Sequence, residues 1–296
     1  MNKVVTFLLS CVAIIVVIGS CSSSDNPEEG TETIIDVSEQ MSADLICFNH
    51  SLLFVDSTIY EAAVNSEFIS HFAFSEEKHL TGYHGFYLVG KSNYIELFHP
   101  NSMDDEMNEP GTIWICLASL KANYLKKLNS EKLDFITFES DDYFNELSLL
   151  VEDSIMPITT REMRKSLYEG WAKKKYHDSV TFLPVDYNSP EESDSSSNYL
   201  MKDVNGIGVS LNPADNSKVI RYLKEIGYNS VSEFNGLTRL SNNEQFFELH
   251  PSENHNSLSI NRYYIQLNQS VERSTEIIGN SRIECDGKSA IWIFEL

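Results

Sequence analysis

The feature that most constrains this chain is a short motif that recurs with the same succession of elements before it. Tyr94-Ile95-Glu96-Leu97-Phe98-His99-Pro100 returns as Phe246-Phe247-Glu248-Leu249-His250-Pro251. Ahead of the first copy, residues 48–55 alternate as a strand. Residues 57–72 then carry partial helical spacing through Ile59, Ala62, Ala63, Phe68 and Ile69, with Asp56 as N-cap. Strand-like stretches follow at 74–80, 85–89 and 93–98, and Gly90-Lys91-Ser92 makes a tight turn. Ahead of the second copy, residues 206–211 read as a strand and 214–226 as an amphipathic helix stopped by Gly227. Strands then follow at 230–234, 237–240 and 245–249. The order is strand, helix and three strands, both times.

A further strand–helix start follows each copy. Residues 112–118 lead into a helix at 120–128 and a strand at 135–138, and residues 260–267 lead into a helix at 271–278 and strands at 282–285 and 290–295. Four units result, at 46–100, 111–187, 204–251 and 259–296. The second is the least regular and holds an inserted amphipathic helix at 160–176 that contains Trp171. A Ser- and acid-rich stretch at 186–199 divides the body. The expected organisation is a first half at 45–187 with a helical insertion at 158–176, a linker at 188–203 and a second half at 204–296.

The N-terminus gives an address. Lys3 begins a positive segment, residues 4–18 are almost wholly apolar, and Gly19-Ser20 supplies small residues before Cys21. The apolar run is shorter than the roughly 20 residues of a membrane span. Ile18-Gly19-Ser20-Cys21 resembles the lipobox of bacterial lipoproteins. That resemblance implies removal of residues 1–20 and acylation of Cys21, which would anchor an otherwise soluble body in membrane lipid. Asp25, Glu28 and Glu29 lie in a polar stretch that resembles the surface-export signal of Bacteroidetes lipoproteins. Residues 21–44 then form an acidic tether, and the expected location is the outer membrane, at the cell surface or on its periplasmic face.

Composition narrows the partners. A net charge of −22 repels nucleic acid phosphates and anionic headgroups, so nucleic acid is not an expected partner. An apolar fraction of 42% supports a sizeable core, and 16 Phe with 14 Tyr favour strands. Beyond Cys11 and Cys21, only Cys47, Cys116 and Cys285 remain, each in an apolar, strand-like stretch. They read as small buried hydrophobes, with a Cys47–Cys116 bridge as the alternative. No CxxC, HExxH, GxSxG or phosphate-cradling loop is present.

The paired strand–helix–three-strand units resemble those of the glyoxalase-like, or vicinal-oxygen-chelate, superfamily. The opening half also resembles an uncharacterised family of bacterial glyoxalase-like proteins through Asn49-His50 and Tyr94-x-Glu96-Leu97-Phe98. The implied fold is α+β, with tandem βαβββ units forming two glyoxalase-like halves of curved mixed sheet. The implied site is a cup holding one divalent transition metal, with His50 and Glu96 as ligands. Thr112 stands where the second unit of such proteins offers a ligand, and Asn205-Gly206 stands where the first unit has Asn49-His50. His79, His84 and His99 are the third-ligand candidates nearest in sequence.

Glu96 shares a strand face with Tyr94 and Phe98, and Glu248 shares one with Phe246 and His250. A carboxylate among aromatics is unfavourable unless paired or coordinated, which points to a wet cavity. The expected site is therefore Glu96 as ligand or general base, His50 as metal ligand, and Tyr94, Phe98 and Glu248 as ligand-binding residues. His99 and His250 precede proline and mark strand ends. Asp104-Asp105-Glu106 with Glu109 reads as a solvated loop, and Trp114 and Trp292 as core or cavity wall. Three functions fit: a metal-dependent lyase or dioxygenase of glyoxalase-like type, a non-catalytic small-molecule binder, or a structural and interaction lipoprotein of the cell surface.

Overall fold

The structure is a computed structural model that describes residues 46–295 apart from 81–82, 101, 103–108, 130–134, 152–153, 178, 188–197, 243–244 and 252–257. The export segment, Cys21, the acidic tether, Asp104-Asp105-Glu106 and most of the expected linker lie outside the described residues. No helix among the described residues is long and apolar enough to cross a membrane.

The described body combines α and β elements in two curved mixed sheets. The first unit runs β1 (Ile46–Phe54), α1 (Ser57–Val64), α2 (Glu67–Phe72), β2 (Phe74–Leu80), β3 (Tyr83–Val89) and β4 (Tyr94–Phe98). The expected single helix at 57–72 is two helices. Asp56 Oδ1 accepts from the Ile59 amide to start α1, and Ser66 Oγ accepts from the Ile69 amide to start α2. The second cap resets the chain direction and ends the first helix.

The second unit runs β5 (Ile113–Ser119), α3 (Tyr124–Asn129), β6 (Ile136–Ser140), β7 (Phe144–Val151) and β8 (Ser154–Met163), followed by α4 (Lys165–Trp171). Its expected inserted helix is corrected: residues 158–163 are strand, and α4 begins only at Lys165. Ile158, Thr159 and Thr160 are β-branched and fully buried, so sheet packing overrides the helical spacing there. Together these strands form one sheet in the order β2-β3-β4-β1-β5-β8-β7-β6, with β1 and β5 antiparallel at its centre.

The second sheet has the order β10-β11-β12-β9-β13-β14. It is built from β9 (Met201–Leu211), α5 (Pro213–Glu225), β10 (Ser230–Phe234), β11 (Leu237–Ser241), β12 (Phe246–Pro251), β13 (Ser259–Ile278) and β14 (Ser281–Phe294). The fourth unit is corrected. Residues 271–278, expected as a helix, continue β13, which pairs with β14 up to Ile278 opposite Ser281. Val271, Thr275, Ile277 and Ile278 suit an extended backbone, and Gly279-Asn280 closes a two-residue hairpin turn. Gly279 has φ 57°, and a Cβ there would lie 2.6 Å from the Thr58 carbonyl oxygen. Asn280 Nδ2 also donates to Asp56 Oδ2, so the hairpin tip docks on the start of α1.

One core joins both sheets. Leu53, Ile95, Leu97, Ile115 and Leu117 from the first belong to the same buried cluster as Ile207, Val209, Phe247, Leu249 and Tyr263 from the second. Ser51 Oγ and the Tyr263 hydroxyl meet at 2.7 Å inside it. Tyr222 of α5 donates to the Leu147 carbonyl at 3.0 Å and lies 2.9 Å from Thr160 Oγ1. The three body cysteines are free thiols, so the Cys47–Cys116 bridge does not form.

The turn between β3 and β4 fastens the sheets together. Asn93 is fully buried, donates to the Val204 carbonyl at 2.9 Å and accepts from the Val204 amide at 2.8 Å. It thereby extends the sheet where β12 does not reach, since β12 pairs with β9 only from Gly206 onward. Asn93→Ala strands both backbone groups of Val204 away from water, at about 1–3 kcal/mol each. Urea denaturation of this variant should show a loss of about 2–6 kcal/mol. A loss within about 0.5 kcal/mol, the usual range for surface substitutions, would show that the contact does not hold the halves together.

Candidate functional site

Strand alternation gives the first sheet a core-facing back and an opposite front. In β1 and β4, His50 lies opposite Tyr94, Leu52 opposite Glu96, and Phe54 opposite Phe98, and all six share the front. The rings of His50 and Tyr94 stack at 4.7 Å, and those of Phe54 and Phe98 at 5.1 Å.

A bulge explains how His50 comes to face forward. Phe48 lies opposite Leu117 and His50 opposite Cys116, so Asn49 is the extra residue. Without it, His50 would share the core face of Ile46 and Phe48. Asn49 is buried, and its Oδ1 sits 2.6 Å from His50 Nδ1, fixing the ring. The second sheet repeats the device at Asn205, between Val204 opposite Ile265 and Gly206 opposite Tyr264.

The flanking strands complete the front. Tyr87 lies opposite Glu96, and Lys78 Nζ sits 4.5 Å from the Tyr87 ring centre. On the other side, Trp114 and Cys116 of β5 continue through Thr159 and Arg161 of β8 to Ser148 and Glu146 of β7. Trp114 Nε1 donates to Thr159 Oγ1 at 3.2 Å, and Arg161 Nε donates to Glu146 Oε2 at 2.7 Å. Lys78, Tyr87, Cys116, Thr159, Arg161 and Glu146 were not anticipated as site residues. The parity of β2 and β3 relative to Glu96 could have exposed the first two. Thr159 and Arg161 were hidden by the helix expected at 158–176.

Glu96 is 2% exposed. It accepts from the Tyr83 hydroxyl at 3.4 Å and from the Tyr94 hydroxyl, and no cation among the described residues is within ion-pair distance of it. Burial pushes its carboxyl up to about 8, against the opposing pulls of Lys78, the two tyrosines and Arg161. Burial, reinforced by the Arg161 charge, pushes the His50 imidazole down to about 3. Burial also raises the Cys116 thiol, which lies 3.7 Å from Thr159 Oγ1. Near neutral pH the front face therefore presents a carboxylic acid, a neutral imidazole and a thiol.

Glu248, in the matching motif, meets a different fate. It accepts from Arg239 at 2.7 Å and from the Tyr264 hydroxyl at 2.6 Å, and His250 Nε2 lies 2.9 Å away. Burial opposes its ionisation, yet these partners hold its carboxyl below the usual range. Gly206 lies opposite Phe246, as His50 lies opposite Tyr94. A Cβ on Gly206 would be 2.3 Å from the Phe246 ring, so the ring fills the space a side chain would take. Glu248, expected as a ligand-binding residue, thus sits in an ion-pair cluster with Arg239 and His250.

The matched family settles membership. The model of a family of unknown function, DUF5829, covers residues 48–135 and 169–294. The chain belongs to the DUF5829 family. In this DUF5829 protein, His50, Tyr94, Glu96, Phe98 and Glu248 all lie in matched segments, and β6 to β8 lie between them. No curated protein matches the chain. Among solved structures, a hypothetical protein from Staphylococcus aureus is similar with a TM-score of 0.49 and 12% identity, over 80% of this chain and 97% of that one. A putative dioxygenase from Bacillus subtilis is similar with a TM-score of 0.33 and 11% identity, over 73% of this chain and 66% of that one.

The third-ligand candidates are not on the front. His79 lies opposite His84, and both share the back-face parity of Glu77, opposite Phe86. His99 follows β4 and stacks on His84 at 5.2 Å. Thr112 precedes β5, where its carbonyl accepts from the Phe54 amide. Among the described residues, the potential metal ligands that converge in a group of three do not include His50 or Glu96. These residues do not fit the metal centre that the glyoxalase-like resemblance implies.

The two shifted groups act on stability in opposite directions. Glu96 keeps its proton longer when folded, so its contribution is complete below pH 4.5 and is lost as pH rises through about 8. His50 must stay neutral when folded, so its contribution is complete above pH 6.5 and is lost as pH falls towards 3. Between pH 4.5 and 6.5 the two slopes oppose each other. Urea midpoints measured across this range should fall on either side of a plateau. Glu96→Gln should flatten the alkaline fall, about 2 kcal/mol between pH 6.5 and about 8, and His50→Ala the acid one. Parallel profiles for all three proteins would refute the assignment.

Proposed function

We propose that the first sheet curls into a glyoxalase-like cup whose front face binds a small, uncharged, hydrogen-bonding molecule without a metal, in a protein held to the outer membrane by lipid on Cys21. The observation that carries the binding reading is Glu96: a buried carboxyl whose hydrogen-bond partners among the described residues are tyrosine hydroxyls, beside a neutral imidazole. A protonated carboxyl donates one hydrogen bond and accepts others, and imidazole does the same. Tyr87, Tyr94 and Trp114 supply flat apolar walls. A fold that needed only stability at this place has a simpler solution in Glu248, whose charge is paired with Arg239.

The same geometry weakens the lyase or dioxygenase reading, which needs a metal and a base. Glu96 is protonated near neutral pH and becomes a base only as pH approaches 8. The structural reading, with the cup packed shut, leaves the adjacent Glu96 carboxyl and His50 imidazole without a role.

A thermal-shift panel of neutral, planar hydrogen-bonding molecules tests the cup. A ligand at 100 times its Kd stabilises by about 2.7 kcal/mol. Active compounds should lose that shift in His50→Ala and keep it in Glu248→Gln. Wild-type affinity should fall as pH rises through about 8, and Glu96→Gln should remove that dependence. Shifts that survive His50→Ala, or a panel with no active compound, would count against the proposal.

The anchor rests on Ile18-Gly19-Ser20-Cys21. Cells expressing the chain should incorporate labelled fatty acid into it and retain it in the membrane fraction. Cys21→Ser should abolish both, and unchanged labelling in that variant would rule out acylation at Cys21.

A further inference from the structure

A second chemical centre lies at the β2–β3 hairpin, on the sheet face opposite the cup. Glu77, His79 and His84 each bring a ligand atom to one point, all within 4.8 Å of one another. Their convergence follows from the backbone. Glu77 and His79 are two residues apart on β2, and His84 is the cross-strand partner of His79 on β3. Both imidazoles aim Nε2 at the same oxygen, Glu77 Oε1, at 2.8 Å from His79 and 2.9 Å from His84. Their ring centres are 3.6 Å apart.

The surroundings hold this set in place. The Tyr60 hydroxyl of α1 donates to Glu77 Oε1 at 3.2 Å. The His84 ring is braced by Tyr60 at 4.8 Å and by His99 at 5.2 Å. Partial burial opposes ionisation of Glu77, but hydrogen bonds from His84, His79 and Tyr60 keep its carboxyl below the usual range. The His79 side chain is 60% exposed, which leaves an approach open from solvent.

Two imidazoles spending their Nε2 atoms on one carboxylate is an arrangement that surface salt bridges do not require. It leaves two cationic rings in contact if both are protonated. Two neutral imidazoles and one carboxylate are instead a common ligand set for divalent transition metals, and zinc accepts it with water completing the shell. Calcium and magnesium prefer oxygen donors. Tyr60 would orient the carboxylate from behind. We infer that Glu77, His79 and His84 form a surface site for one divalent transition cation, zinc being the best fit. It is independent of the cup, because its residues lie on the opposite face.

Isothermal titration of zinc chloride into the purified full chain, in a buffer that does not chelate, tests the site. One saturating equivalent is expected. Its affinity should fall at least about tenfold in His79→Ala and in Glu77→Gln, and stay unchanged in His71→Ala. His79 is exposed, so its variant should keep the wild-type melting temperature without metal. Cobalt titration should give a visible absorption band in the wild type that is absent in His79→Ala. No saturable zinc binding, or equal affinity in His79→Ala and wild type, would overturn the inference.

Discussion

The parallel pairing of β1 with β4 is the constraint on which the rest of the first half depends. It is a single register in which His50 meets Tyr94 and Leu52 meets Glu96. Because side chains alternate, that register sends Leu53, Ile95 and Leu97 into the shared core and the acid forward. A slip of one residue would bring Glu96 among the fully buried aliphatics that face the second sheet. The bulge at Asn49 is the local correction that lets one strand serve both ends of this arrangement. It leaves Phe48 in the core and turns His50 to the front. The buried Asn93, clamped on Val204, then ties this strand pair to the second sheet.

The two halves show what the same position does under different neighbours. In the second sheet, Arg239, Tyr264 and His250 surround Glu248 and keep it ionised, and Phe246 covers Gly206. In the first, the residue at the start of the motif is Tyr94, stacked on an imidazole, and among the described residues the acid's hydrogen-bond partners are tyrosine hydroxyls. A buried carboxyl with no charged partner among the described residues is a loss of stability that ordinary packing would remove. Its presence beside a charge-paired counterpart is what motivates the binding proposal for the first sheet.

Much of this was legible in the sequence. The recurring motif located β4 and β12, and the alternation around Glu96 placed it with Tyr94 and Phe98. Asn49-His50 and Asn205-Gly206 stood out as corresponding pairs, and each contains the bulge residue of its half. What escaped was the long-range pairing. Helical spacing at 160–176 and 271–278 was read locally, whereas burial between neighbouring strands decided both segments. Arg161 vanished from the site with the first of these errors. The His79–His84 contact escaped for a related reason: β3 was started at Gly85, two residues after Tyr83, where the hairpin pairing begins.

The two proposed centres differ in where each carboxyl keeps its proton. Coordination needs a deprotonated ligand, so metal binding at Glu96 would first have to displace a proton held up to about pH 8 by burial. No converging third ligand among the described residues would offset that loss. Glu77 is already ionised by the hydrogen bonds of its own would-be co-ligands, and its site is open to water. The buried face thus suits a neutral guest that exchanges hydrogen bonds with a protonated acid, while the hairpin suits a cation. The same two residue types, histidine and glutamate, thus meet opposite surroundings on the two sides of one sheet.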